Sequence, residues 1–134
     1  MAGNTFSYSY GAQASVCTGK PGVATDLSLA GKDSNRTSMT VNGVTTTYCY
    51  NQADQLVASS NLLYDAPTYD SHGNTLTLGV ASGTAKQTTF TYDSSDRNSR
   101  IVQRDSANNT ITISMSRDVQ GRLLSRTFST APAT

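Results

Sequence analysis

Two cysteines, one histidine and nine aspartates are the residues of this 134-residue chain from which chemistry could be built. His72 sits in Asp70-Ser71-His72-Gly73. An imidazole beside a carboxylate is two thirds of a Ser-His-Asp triad, but nothing among 18 serines marks a nucleophile, so His72 reads as an exposed turn residue. Asp70, Asp93, Asp96 and Asp118 could act as paired acids or hold calcium. No Asp-x-Asp-x-Asp-Gly loop occurs, however, and the spacing of Asp70 and Asp93 is that of stacked turns. Cys17 and Cys49 fit no zinc spacing, and one histidine cannot complete a His/Cys site. Catalytic residues, a cofactor and a metal are therefore not expected. Two readings of the cysteines stay open: separate buried thiols, or one disulfide. The tyrosines Tyr48, Tyr50, Tyr64, Tyr69 and Tyr92 could stack against a sugar. Their recurrence with the period described below favours packing between hairpins.

The composition says what kind of framework holds these residues. Ten Lys and Arg balance nine Asp, a net charge of +1, which argues against a nucleic-acid or anionic-membrane binder. Only 36% of residues are hydrophobic and 14% charged. Eighteen Ser and 20 Thr fill the difference, and there is no Glu. Helix formers are scarce and strand formers common, so the expected class is all-β with a modest core. No apolar run is long enough to span a bilayer, and Met1 to Phe6 has no signal-peptide pattern, so a secretion signal would have to lie upstream.

A seven-residue box recurs: Tyr50-Asn51-Gln52-Ala53-Asp54-Gln55-Leu56, Tyr69-Asp70-Ser71-His72-Gly73-Asn74-Thr75 and Tyr92-Asp93-Ser94-Ser95-Asp96-Arg97-Asn98. A fourth copy, Arg117-Asp118-Val119-Gln120-Gly121-Arg122-Leu123, lacks the tyrosine, and Ala30 to Arg36 reads as a degenerate earlier copy. Each box is predicted to be a hairpin turn. The Tyr ends a strand, the Asp accepts a backbone N–H two residues on, and the Gly or Asp takes a left-handed conformation. Between boxes the chain turns the other way, most clearly at Asn42-Gly43, a type I′ hairpin tip between Thr-rich runs. Leu56-Val57 and Leu62 to Tyr64 are expected to form a short strand pair. The result is an antiparallel meander of repeated β-hairpins. Residues 1–34 form an irregular segment with one strand, 35–128 carry the repeats, and 129–134 form a frayed tail.

The Tyr-Asp-x-x-Gly-Arg box, within Thr-rich strands from about Asn35 to Thr127, resembles the YD-repeat, or RHS-repeat, family. The resemblance implies a ribbon of consecutive hairpins, which in large members spirals into a shell around a toxin or other cargo. The family's C-terminal self-cleaving core, with its Asp-Pro-x-Gly stretch, has no counterpart here, so no autoproteolytic residue carries over. The resemblance further implies a secreted or surface location, with neighbouring repeats, other copies or a cargo polypeptide as partners. On that basis the chain is expected to be a structural, non-enzymatic module. The alternative is an adhesin-like module binding carbohydrate. A location outside the cytosol also favours the Cys17–Cys49 disulfide, which would close a loop of about 30 residues and tie the irregular N-terminal stretch to the sheet.

Overall fold

A computed structural model describes residues 3–32 and 34–132. The chain is all-β. Its ten strands, all paired antiparallel, divide between two compact units, Met1–Ala66 and Pro67–Thr134. The hairpin span 35–128 is thus carried by two sheets, one in each unit.

In the first unit, β1 (Phe6–Ser9), β2 (Ser38–Val41), β3 (Val44–Tyr50) and β4 (Leu56–Ser59) pair in sequence order. Asn42 and Gly43 take φ values of 49° and 82°, the positive pair that a type I′ turn requires between Val41 and Val44. The Asn42 side chain accepts the Thr5 N–H at 2.9 Å, which ties this tip to the β1 edge. Strand alternation puts Cys49 and Ala58 on one face, opposite Tyr48 and Tyr50. On that face lies the stretch from Gly11 to Gly31, read from the sequence as loop with one irregular strand. It forms a 3₁₀ turn (Ser15–Cys17) and a single helical turn, α1 (Leu29–Lys32), and contains no strand.

The small core of this unit centres on a disulfide. Cys17 and Cys49 are bonded, with their Cα atoms 5.3 Å apart, and are packed with Ala58, Val23, Leu27 and Val57. Gln13, also buried, does what a further strand would do: its side-chain amide accepts the Tyr50 N–H and donates to the Tyr50 carbonyl. It does so on the β2 side of β3, beyond the last paired residues of those two strands, Ser38 and Thr47.

Two expectations are corrected here. Ala30 to Arg36 is not a hairpin turn. Ala30 lies in α1, and the helix ends with Ser34 at φ 66° and the Asn35 N–H bonded back to the Ala30 carbonyl, a Schellman ending. Leu62 to Tyr64 is not a strand either: the Asn61 side chain accepts the Leu63 N–H and its carbonyl accepts the Tyr64 N–H, which curls the segment into a turn.

The second unit is a six-stranded meander: β5 (Thr68–Tyr69), β6 (Thr75–Leu78), β7 (Gln87–Tyr92), β8 (Asn98–Arg104), β9 (Thr110–Arg117) and β10 (Leu123–Ala131). Among its described residues only Gly79 is buried. Cross-strand contacts, not a deep core, therefore carry its packing. One row, Phe90–Ile101–Ile113–Phe128, crosses four strands in register. Ser129 to Ala131 do not fray: they pair with Thr112 to Thr110 as the end of β10. The last two residues of the expected tail lie outside the described residues.

Reduction should remove the main constraint on the first unit. The chain-entropy value for a loop of this size is about 3–4 kcal/mol. Urea melts with and without reductant are expected to differ by about that amount, and equal midpoints would refute a structural role for the bond. Gln13→Leu should cost about 1–3 kcal/mol, because it strands the Tyr50 N–H and carbonyl in a buried place. The same melts measure it.

Candidate functional site

The feature repeated most faithfully in this molecule is a turn. In Asp70–Asn74 the first residue's backbone N–H bonds the fifth residue's carbonyl at 3.0 Å, and the fourth residue's N–H bonds the first residue's carbonyl at 3.1 Å. The Asp70 Oδ1 accepts the N–H groups of both His72 and Asn74 at 2.9 Å, while Oδ2 accepts the Asn74 side-chain amide at 3.0 Å. This is a type I turn closed by a left-handed residue, Gly73, at φ 88°.

The same pattern recurs at Asp93–Arg97 and Asp118–Arg122, where an arginine Nε replaces the amide on Oδ2, at 3.1 and 2.7 Å. It recurs at Asn51–Gln55 with a neutral first residue. The left-handed place is taken by Asp54, Asp96 and Gly121 in turn. A fifth copy, Asp105–Asn109, has Asn108 at φ 64° and, like the Asp118 copy, no tyrosine before it. The signal was present as Asp-x-x-Asn-Asn. The tyrosine is dispensable to the turn, whose chemistry lies in positions one, four and five.

The tyrosines have a separate task. Tyr92, which enters the Asp93 turn, donates its hydroxyl to the Thr75 carbonyl at the exit of the preceding turn, at 3.0 Å. Asn74, beside Thr75, donates its side-chain amide to Asp96, the left-handed residue of that same later turn, at 3.0 Å. The first unit repeats this pair of links. Tyr50 donates its hydroxyl to the Arg36 carbonyl at 3.1 Å, and Asn35 donates its side-chain amide to Asp54 at 2.7 Å. Asn35 and Arg36 thus stand where Asn74 and Thr75 stand, although no hairpin turn precedes them. Tyr69 is half-buried, and its phenol is pushed up by that burial.

The remaining site residues fall along the same end of the second sheet. His72 is exposed, with Nδ1 at 2.9 Å from the Asp96 carboxylate of the next turn. Asp70, His72 and Asp96 bring ligand-type atoms within 4.8 Å of one another, and the turn hydrogen bonds account for that grouping. The Arg97 guanidinium lies against Gly121, where a Cβ would come within 1.8 Å of Nη1. Arg97 and Arg122 each pair with the aspartate of their own turn. Arg36 behaves differently: its guanidinium sits between the rings of Tyr8 and Tyr48, 5.4 and 5.1 Å from their centroids. None of the family models, curated proteins or solved structures compared with the chain matches it.

The carboxylates at the first position of four of these turns are held below the usual range. The Asn74 side chain leads for Asp70, the Arg97 backbone N–H for Asp93, the Asn109 side chain for Asp105 and the Arg122 side chain for Asp118. A lowered carboxylate stabilises the fold above its unfolded value, near 3.9, and that contribution is lost as pH falls through the lower folded value. The His72 imidazole is raised, first by its hydrogen bond to Asp96. Its contribution is full below the ordinary histidine value, near 6.5, and is lost as pH rises through the raised one.

Thermal melts across pH should show both limbs. His72→Ala is expected to remove the neutral-side limb alone. Asp70→Asn and Asp105→Asn should flatten the acid limb and melt above the corresponding alanine variants, since Asn51 already builds this turn without a charge. Equal losses for asparagine and alanine would contradict the turn assignment.

Proposed function

We propose that the chain is a non-enzymatic structural module of the YD-repeat, or RHS-repeat, type, whose task is to present a stiff run of hairpins. One observation carries this reading. The same pair of links, tyrosine to carbonyl and asparagine to aspartate, occurs twice, from the end of α1 at Asn35 and Arg36 to the Asn51 turn and from the Asp70 turn to the Asp93 turn, on a chain whose turns share one hydrogen-bond pattern. Such links serve the neighbour relation between repeats, and neighbour relations are the currency of repeat scaffolds. The disulfide fits an oxidising compartment, which supports a secreted or surface-displayed parent protein. Partners in this reading are adjoining repeats, further copies or an enclosed polypeptide.

A carbohydrate-binding reading is favoured by a separate observation. Phe6 and Tyr8 in β1 and Tyr10 just beyond it, at alternate positions of the chain, are 53%, 52% and 55% exposed. Aromatic rings in such a row suit the apolar faces of sugars. A glycan array probed with the oxidised chain separates the two readings. The scaffold reading expects no retained glycan. A glycan held by the wild type and lost in Tyr8→Ala and Tyr10→Ala would replace it with the adhesin reading.

A further inference from the structure

An endopeptidase takes its substrate as a locally unfolded, extended segment, so backbone held in a ladder must be peeled from its partner before it can be cut. Exposed side chains alone therefore do not make a cleavage site. Phe6, Tyr8, Leu124 and Phe128 are exposed, but they lie in the paired strands β1 and β10. Tyr10 is exposed as well, and the helical turn at Gly31 passes over its carbonyl.

Residues 60–67 differ. They follow β4 and precede β5, and none of them belongs to a strand. Leu62, Leu63 and Tyr64 are 42%, 50% and 41% exposed, three large apolar or aromatic residues in succession. The bonds that curl this segment are local. Asn61 accepts the Leu63 N–H on Oδ1 and the Tyr64 N–H on its carbonyl, and Asp65 Oδ1 accepts the Ser59 N–H. Opening the turn breaks these bonds and no pairing of β3 with β4, which ends at Ser59. Ala66, at φ 47°, holds a left-handed conformation that alanine seldom adopts, and opening relieves it.

From these features we infer that the Asn61–Tyr64 turn is a proteolytic processing site, where an endopeptidase selecting large apolar or aromatic residues cuts after Leu62, Leu63 or Tyr64. Water adds across the peptide bond: its oxygen completes a new carboxyl group on the first piece, and its protons pass to the new amine of the second. The cut falls near the end of the first compact unit, Met1–Ala66, just before the second begins at Pro67. Each piece keeps all the strands of its own sheet except for none lost at the cut, since β4 ends at Ser59 and β5 starts at Thr68. Cys17 and Cys49 both lie before the cut, so the disulfide stays within the first piece and does not tie it to the second. The inference goes beyond the scaffold reading and does not rest on it, because it stands or falls on where the chain is cut.

The test is limited digestion of the oxidised full chain with chymotrypsin, read by intact mass without reductant and by circular dichroism. Two complementary pieces divided after Leu62, Leu63 or Tyr64 are expected as the first products, with the β-sheet signal retained. The triple variant Leu62→Ser, Leu63→Ser, Tyr64→Ser should melt as the wild type does, since all three positions are exposed, and should slow the first cut at least about tenfold. Asn61→Ala removes the Oδ1 acceptor, opens the turn more often and should speed the cut about fivefold. A first cut at any other residue, a sheet signal lost with the first cut, a triple variant cut there at the wild-type rate, or an Asn61→Ala chain cut no faster would each overturn the proposal.

Discussion

One carboxyl or amide oxygen accepting two backbone N–H groups, from the residues two and four places on, is the interaction on which this protein depends. A three-residue loop between strands leaves N–H groups pointing inward with no ladder partner. The Oδ1 of the first residue satisfies two of them, and its second atom holds the side chain at position five. That side chain is then placed for the next contact. Asn74 reaches Asp96, and Arg97 lies on Gly121. Local turn chemistry thereby becomes repeat-to-repeat order. In a sheet whose described residues include no deeply buried side chain, little else could supply it.

The first unit meets the same shortage of apolar residues differently. Its irregular stretch from Gly11 to Gly31 is too polar to pack by burial alone. A covalent bond at Cys17 and a side-chain amide at Gln13 fasten it to β3. Gln13 shows how a buried polar residue can be stabilising: the oxygen and the nitrogen of its amide each find a partner on the backbone of one residue, Tyr50. Gly31 completes the fastening by lack of bulk. A Cβ there would lie 2.2 Å from the Tyr10 carbonyl oxygen, so the helical turn passes directly over the end of β1.

The all-β class, the Asn42-Gly43 tip and the box turns were legible in the sequence because each is a local matter. They follow from strand propensity, from the residues that tolerate positive φ, and from an aspartate's reach of two to four residues. The disulfide was legible only as one of two alternatives, since spacing does not say which face of β3 the N-terminal stretch will cover. The Asp105 turn follows from the same local chemistry, since Asp105, Asn108 and Asn109 fill the positions that matter. Tertiary structure alone decided the rest. The place of Gln13 against Tyr50 and the links from Asn35 and Tyr50 across a segment with no hairpin turn join residues distant in sequence. Such contacts depend on where the chain returns in space, and local propensity carries no information about that return.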